Sequence, residues 1–496
     1  MIVVRFWELV AYRPSVTYPY MLSMRMALVA EDQSMSSWKP WLVEGSQLKY
    51  RGIVEAIESD LKAGLIQPGD RLPPQRLIAE VLSVDLTTVT RAFNEARRRG
   101  LVEANAGRGT FIRRRIEDAR AIGVSGAPAV DLSMNIPPQP ASANLKRLIP
   151  ETISTLLSEP HGLLHLHYQE STGSDADRAA AAAWLSRRIE QVRPASIVLA
   201  SGAQSALFAI CECLLSPGDA IAAGAVTYPG LKAVARQRGF TIRPLAMDEN
   251  GILPQAFEAC CDESPPKAIY IVPAIDNPTT ATLPEDRRQE IAAIARRFGV
   301  SIIEDDPYSV LQFNPLAPLA ALAPELTWHI ATLSKCTTPA LRIAYVVAPG
   351  AAQAMRLAGV IRAVNLMVPP INAAVASRWI STGVVDDLTV AIREENIARQ
   401  KIAKTILGGA KMAADRCGHH IWLKMPPQWG AADFVDHAKR SGMSVVPGAA
   451  FATGAGEPEA IRISLGVAPD RDTLSDALKQ FAQLLAEPSV MVKAIV

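Results

Sequence analysis

Three short apolar runs in the C-terminal two thirds of the chain constrain its fold more than any other feature. The runs occupy residues 270–273, 300–304 and 328–333. Each is followed by polar residues, with Asn277 after the first, Asp305 after the second and Lys335 after the third. Helical patterns separate the runs, and this alternation is typical of an α/β fold with a mostly parallel sheet. Since functional groups of such sheets gather beyond the carboxyl ends of the strands, we expect these side chains to lie together.

A segment near the N-terminus has a different composition. Residues 46–116 carry 13 Lys and Arg against 8 Asp and Glu, whereas residues 117–496 have a net charge of −3. Phosphate neutralisation on DNA requires such a local excess of positive charge. The six cysteines form no CxxC pair and the histidines lack ordered partners, so buried free thiols and no metal site are predicted.

The pattern of the basic segment predicts two short helices around a tight turn, followed by a hairpin. Ile53, Ile57, Leu61 and Leu65 predict the apolar face of a preceding helix. Asp85 is a predicted N-cap for the second helix of the pair, which a winged helix-turn-helix places in the major groove. The residues predicted to contact DNA are Arg76, Thr87, Thr88, Thr90, Arg91 and, at the hairpin tip, Arg108.

The stretches 72–76, 88–93 and 107–111 resemble those of GntR-type regulators. One departure is Ser83, where that family often has glycine in the turn. Serine tolerates the left-handed conformation poorly, so we expect a strained turn that is nevertheless formed. The resemblance implies binding to double-stranded DNA.

The residues that follow the strands suit one cofactor chemistry. A lysine can form a Schiff base with an aldehyde, and an aspartate can keep a pyridine nitrogen protonated. Asn277 and Tyr308 can bind a ring hydroxyl, and Arg342 can clamp a phosphate. The small-residue turn 201–204 before a helix allows backbone N–H groups to approach that phosphate, although many turns look like this one.

The region from Asp131 onward is similar to fold-type I pyridoxal-phosphate enzymes of the aminotransferase class I/II group. The resemblance implies that Lys335 is the catalytic residue that holds pyridoxal 5'-phosphate as an internal aldimine. The other implied cofactor-binding residues are Gly202, Ala203, Gln204, Tyr228, Asn277, Asp305, Tyr308, Thr332, Ser334, Arg342 and, reaching into the partner subunit's site, Tyr168. Arg462 resembles the arginine that binds a substrate carboxylate, with a structural ion pair as the alternative.

The order of the two parts resembles the MocR subfamily of GntR regulators. The predicted organisation is a non-structural extension at 1–37, a winged helix-turn-helix at 38–116, a linker at 117–130 and an aminotransferase-like domain at 131–496. This last domain is expected to have a small C-terminal α+β subdomain. The resemblance implies a homodimer that senses an amine or amino acid. We also expect a cytoplasmic protein without membrane segments, because free thiols suit a reducing cytosol and charged residues interrupt the apolar N-terminal stretch. A working aminotransferase with a subsidiary DNA-binding domain is the alternative function.

Overall fold

The computed structural model describes residues 38, 40–41, 48–63, 65–66, 70–99, 101–105, 109–112 and 130–487. The chain divides into two compact units, residues 1–125 and 126–496. The predicted extension at 1–37 lies outside the described residues, as does the predicted linker at 117–130 apart from Val130.

The described residues of the first unit form three helices and a hairpin. Its elements are α1 (Lys49–Lys62), α2 (Gln75–Val81), α3 (Leu86–Arg98), β1 (Val102–Asn105) and β2 (Gly109–Ile112). The strands pair antiparallel, with Val102 opposite Ile112, as the predicted wing requires. Ile53, Ile57, Ile78, Val89 and Phe93 are buried together between the three helices. The assignment of Leu65 to the apolar face of α1 is wrong, because the helix ends at Lys62 and Leu65 is 64% exposed.

The turn between α2 and α3 has the predicted strain. Ser83 has a φ of 50°, in the left-handed region that favours glycine. Two backbone hydrogen bonds hold this turn: Ser83 N–H donates to the Glu80 carbonyl at 3.2 Å and Val84 N–H to the Ala79 carbonyl at 3.0 Å. Asp85 occupies the N-cap position of α3, as predicted, but its side chain accepts no capping hydrogen bond.

The second unit alternates strands with helices. Its strands are β3 (Val130–Asp131), β4 (Ile197–Ala200), β5 (Ala220–Gly224), β6 (Thr241–Leu245), β7 (Met247–Asp248), β8 (Gly251–Ile252), β9 (Ala268–Ile271), β10 (Ser301–Asp306), β11 (Thr327–Thr332), β12 (Ala344–Val347), β13 (Met412–Ala414), β14 (His420–Lys424), β15 (Met443–Ser444), β16 (Val446–Pro447) and β17 (Ala460–Ser464). Its helices are α4 (Leu145–Ser158), α5 (Asp175–Leu185), α6 (Ala203–Leu214), α7 (Pro229–Arg238), α8 (Pro254–Glu263), α9 (Glu285–Phe298), α10 (Leu319–Leu322), α11 (Ala351–Asn365), α12 (Pro370–Ser381), α13 (Val384–Leu407), α14 (Ala431–Arg440) and α15 (Arg471–Ala486).

Seven strands form the central sheet in the order β4-β12-β11-β10-β9-β5-β6. The neighbours β6, β5, β9, β10 and β11 are parallel, and β12 runs antiparallel to β11 and β4 on its two sides. In β10, Asp305 lies opposite Ile330 of β11, and Glu304 lies opposite Ile271 of β9. Helices cover the buried apolar strands, so the predicted α/β fold with a mostly parallel sheet is confirmed.

A smaller antiparallel sheet, in the order β13-β14-β17-β16, forms the predicted C-terminal α+β part. Helices α14 and α15 pack on it through Phe434 and Phe481, whose ring centroids are 5.3 Å apart. Strand β17 carries Arg462 at its centre. In the part of the chain that the structure describes, no helix is long and apolar enough to cross a membrane.

Candidate functional site

A cavity of about 350 Å³ opens at the carboxyl ends of the parallel strands. Arg462 and all of the predicted cofactor residues except Gly202 and Tyr168 line it. Its volume lies in the range of small-ligand sites. Residues that are 330 positions apart in the chain, such as Met134 and Ser464, meet near this cavity because β17 packs beside the segment after β3. The sheet topology therefore brings the predicted residues together.

Asp305, the last residue but one of β10, is buried and lines the cavity. The hydroxyl of Tyr270 donates a hydrogen bond of 2.8 Å to its Oδ2. Burial raises the pKa of Asp305 to about 6, while the Tyr270 hydrogen bond opposes this rise. Sequence reasoning did not assign a role to Tyr270, which lies in a strand as an ordinary aromatic residue.

Lys335 follows β11 and its ammonium donates to the backbone carbonyl of Asn135. Burial, followed by the nearby charge of Arg462, lowers the pKa of Lys335 to about 8, and Asp305 opposes the decrease. The backbone carbonyl of Lys335 lies 3.0 Å from Nε2 of His419, a buried residue whose Nδ1 lies 3.0 Å from Asn396 Oδ1. Because the lysine amine is partly neutral near pH 8, it can act as a nucleophile.

Tyr308 and Asn277 face the same cavity from separate loops. Asn135 Nδ2 donates to the Tyr308 hydroxyl at 2.8 Å, and burial raises the pKa of that hydroxyl above its usual value. Arg462 Nη1 donates to Asn277 Oδ1 at 2.8 Å, and its Nη2 donates to the Ser133 carbonyl. These partners are uncharged, so the predicted alternative of a structural ion pair is not what the arginine forms here.

The other end of the cavity is arranged for an anion. Helix α6 begins at Ala203 with Gly202 as its N-cap, at a φ of 91°. A Cβ atom on Gly202 would lie 2.6 Å from Nη2 of Arg342, so glycine provides both the backbone conformation and the space. Arg342 Nη2 also donates to the Ser201 carbonyl at 3.2 Å. A helix N-terminus beside an arginine favours a phosphate.

Thr332 and Ser334 line the same end, with their hydroxyl oxygens 2.9 Å apart. Tyr228, half-buried, caps the start of α7 and also lines the cavity, where its ring can cover a flat ligand. Gln204 reaches back to the Gly230 carbonyl at 3.2 Å and so links α6 to α7.

Unpaired buried atoms test whether this cavity fits pyridoxal phosphate. Among the described residues, six buried side-chain nitrogen or oxygen atoms have no hydrogen-bond partner, and four of them belong to cavity residues: Asn135, Gln204, Asp305 and Arg462. Such atoms are costly unless a ligand completes them. The unpaired Oδ1 of Asp305 suits a protonated ring nitrogen, and the unpaired Nε of Arg462 suits a carboxylate. The residues therefore fit the group.

Tyr168 is the predicted cofactor residue that lies apart. It is 82% exposed and does not line the cavity. It follows a 3-10 turn, Gly162–Leu166, in which Leu163, Leu164 and Leu166 are also exposed.

The predicted DNA-contacting residues that the structure describes lie on α2 and α3 of the first unit. Thr87, Thr90, Arg91 and, on α2, Arg76 are exposed, whereas Thr88 is half-buried. The opposite face of α3 carries its buried residues, including Val89 and Phe93. Side-chain contacts orient two of the predicted residues: Thr90 Oγ1 donates to Gln75 Oε1 at 2.9 Å, and the Arg91 guanidinium stacks on Tyr50 at 4.8 Å. Arg108 lies outside the described residues.

Comparison with known families agrees with this geometry. The family model described as aminotransferase class I and II matches residues 127–481, most of the chain. The chain belongs to this family. The model described as bacterial regulatory proteins, gntR family, matches residues 49–112. The predicted order of a GntR domain followed by an aminotransferase-like domain, as in the MocR subfamily, is thereby confirmed.

Two relatives are named as HTH-type transcriptional regulators. The uncharacterized HTH-type transcriptional regulator YdeF of Bacillus subtilis is 29% identical over 457 residues, which are 90% of this chain and 97% of the relative. The HTH-type pyridoxine biosynthesis transcriptional regulator PdxR of Corynebacterium glutamicum is 25% identical and covers 72% of this chain and 78% of its own length. Among solved structures, kynurenine aminotransferase from Pyrococcus horikoshii is similar with a TM-score of 0.67 at 24% identity, covering 74% of this chain and 93% of its own. This last likeness shows the fold.

Proposed function

We propose that this protein is a transcription regulator that binds double-stranded DNA through its winged helix-turn-helix and pyridoxal 5'-phosphate in the cavity of its aminotransferase-like unit. The observation that carries the proposal is that one cavity contains both Lys335, whose pKa is about 8, and the unpaired Oδ1 atom of Asp305. The regulator YdeF, whose match spans 90% of this chain, and the regulator PdxR support the DNA-binding role.

When bound, pyridoxal phosphate supplies an aldehyde carbon and a ring that accepts electrons. Lys335 would provide the amine for the aldehyde, and Asp305 would hold a proton on the ring nitrogen. Asn277 and Tyr308 would bind the ring hydroxyl, and Tyr228 would pack against the ring. The N-terminus of α6, with Arg342, would hold the phosphate.

The effector is proposed to be an amine or amino acid. Arg462 is buried with Nε unpaired among the described residues, and its charge is balanced only by neutral oxygen atoms, so a ligand carboxylate would complete it. The effector shifts DNA affinity only to the extent that it binds one arrangement of the protein more tightly than another.

A homodimer is part of the proposal. The exposed apolar residues Leu163, Leu164 and Leu166 lie next to exposed Tyr168, and contiguous exposed apolar groups typically mark an interface. In this arrangement Tyr168 would reach the phosphate in the partner subunit's cavity. Paired DNA half-sites would match the two-fold symmetry of the dimer.

Amino-transfer activity is the second candidate function. The lowered pKa of Lys335 favours it, because an amine that is partly neutral near pH 8 can take up and return a proton at a ligand carbon. Sensing and turnover use the same residues, so only an assay for keto-acid production separates them.

The decisive experiment is fluorescence anisotropy on DNA from upstream of the gene, with and without pyridoxal phosphate, against random-sequence DNA at equal salt. We expect specific binding that changes with the cofactor.

Lys335→Ala should abolish the visible absorbance of the lysine-bound cofactor, while Lys424→Ala, at an exposed lysine of β14, should retain it. An unchanged spectrum in Lys335→Ala would refute the site assignment, and DNA binding equal to the random control would refute the regulator.

A further inference from the structure

A second cavity, of about 270 Å³, lies on the opposite face of the central sheet from the cofactor cavity. Successive side chains of a strand point to opposite faces. Asp305 accordingly lines the cofactor cavity, and its neighbour Asp306 lines the second one. In β11, Thr332 lines the first cavity and Ala331 the second. The two cavities therefore share their wall at the ends of β10 and β11.

The second cavity is lined by three arginines but by only two carboxylates. Arg188 pairs with Asp306 at 2.6 Å, and Arg187 pairs with Asp386 at 2.7 Å. Arg393, from α13, instead donates to two backbone carbonyls, Leu311 at 2.7 Å and Val310 at 3.0 Å. Within the described ranges no carboxylate forms a salt bridge with Arg393. A small anion would balance this charge.

Much of the remaining cavity wall is apolar. Trp184, Ile189, Val310 and Val390 line it, and Phe313, which is 52% exposed, lies under the Arg393 guanidinium at 4.8 Å. A ligand that fills this space needs an apolar body as well as a charged group. An aromatic or branched monocarboxylate meets both requirements.

The cavity wall is connected to the cofactor site by hydrogen bonds. Arg188 Nη1 donates to Asp306 and to the Ser309 hydroxyl. Asp306 in turn accepts from Ser309 N–H at 3.1 Å and from its hydroxyl at 2.6 Å. These bonds close the turn that contains Tyr308, a lining residue of the cofactor cavity. The Arg188 Nε atom is buried and has no partner among the described residues, so a ligand that draws on Arg188 acts directly on this turn.

We propose that the cavity between α5, α13 and the turn after β10 binds a small monocarboxylate with an apolar body, with Arg393 as the charge partner. Its occupancy changes the environment of the bound cofactor through the Arg188–Asp306–Ser309 turn. The binding site stands on its own geometry, whereas the change at the cofactor rests on the proposed function.

The test uses the full chain loaded with pyridoxal phosphate, and phenylacetate as the probe. Phenylacetate has no amine, so it cannot bond to the cofactor aldehyde. The substitution Arg462→Gln removes the arginine of the cofactor cavity, which is the other group that could bind the phenylacetate carboxylate. We expect calorimetric binding to the wild type and to Arg462→Gln with equal affinity. Arg393→Gln keeps hydrogen-bond donors but removes the charge, and it should weaken binding at least tenfold.

Arg416→Gln is the matched control. Its guanidinium also stacks on Phe313, at 4.5 Å, but Arg416 does not line the cavity, so its variant should bind within twofold of wild type. No binding at millimolar phenylacetate, or a loss caused by Arg462→Gln rather than Arg393→Gln, would overturn the site. Binding with an unmoved cofactor absorbance would overturn the coupling alone. A protein that takes up no cofactor but binds phenylacetate through Arg393 would refute the proposed function and keep this site.

Discussion

Replacing Tyr270 by phenylalanine tests the electrostatics of the cofactor cavity most directly. The change removes one hydroxyl, which lies 2.8 Å from Asp305 Oδ2, and leaves a buried ring of the same shape. A hydrogen bond to a charged group contributes roughly 1.5–3 kcal/mol. Since one pKa unit corresponds to about 1.4 kcal/mol, the pKa of Asp305 should rise by about 1–2 units. It would move from about 6 to roughly 7–8.

The consequence for affinity depends on pH. Asp305 must be ionised to hold a proton on the ring nitrogen of the cofactor. At pH 7 the ionised fraction would fall from roughly nine tenths to between one half and one tenth, so the affinity for pyridoxal phosphate should fall about two- to tenfold. At pH 9 the carboxyl group is ionised in both proteins, and the difference should shrink below about twofold.

The assay is the dissociation constant for pyridoxal phosphate from pH 5.5 to pH 9.5, expressed as the ratio of variant to wild type. Taking the ratio reduces the contribution of Lys335, which titrates in both proteins. Tyr345→Phe is the control, because its buried hydroxyl in β12 has no hydrogen-bond partner among the described residues. A ratio that stays constant across the pH range would show that Tyr270 acts through packing, and the electrostatic reasoning would be wrong.

Three further predictions concern single groups. The rate of pyridoxal phosphate capture should rise with pH up to about 8 and then level off, because only the neutral amine of Lys335 adds to the aldehyde; stopped-flow absorbance that is flat from pH 6 to 9 would contradict this. Ser83→Gly should stabilise the helix pair by about 1 kcal/mol, since glycine lacks the cost of a left-handed φ; slower hydrogen exchange of α2 and α3 amides would report it, and faster exchange would count against it. Arg76→Ala should reduce the steepness of the logarithmic salt dependence of DNA binding by about 1, and an unaltered slope would remove this exposed arginine from the phosphate contacts.

The strand-end residues were predictable from the sequence for a physical reason. Parallel strands place their carboxyl ends at one edge, so Asn277, Asp305 and Lys335 had to converge once their strands were recognised. The strand bounds were less predictable: β10 continues through Asp306, so Asp305 lies within the strand rather than after it. Its position in the pleat, and not a loop, directs the carboxylate into the cavity.

Contacts between distant parts of the chain could not be predicted. Asn135 binds the Tyr308 hydroxyl across 173 positions, and His419 approaches the Lys335 carbonyl across 84. Neither residue has a local pattern that distinguishes it from a loop asparagine or a buried histidine. The prediction for Leu65 was wrong for a different reason. The helical spacing of apolar residues continues to Leu65 in the sequence, although the helix itself ends at Lys62.

The adjacent carboxylates of β10 have different acid strengths. Burial acts to raise the pKa of both, but Arg188 and then His329 bring that of Asp306 below its usual range, while Asp305 stays near 6. Near pH 6, therefore, Asp306 keeps its negative charge while Asp305 gains and loses a proton. Because both groups are aspartates, their surroundings set this difference, and loss or gain of one residue within β10 would place a different side chain beside the cofactor. Pairing with β9 on one side and β11 on the other makes such a slip costly, so the backbone register of this strand also fixes its protonation chemistry.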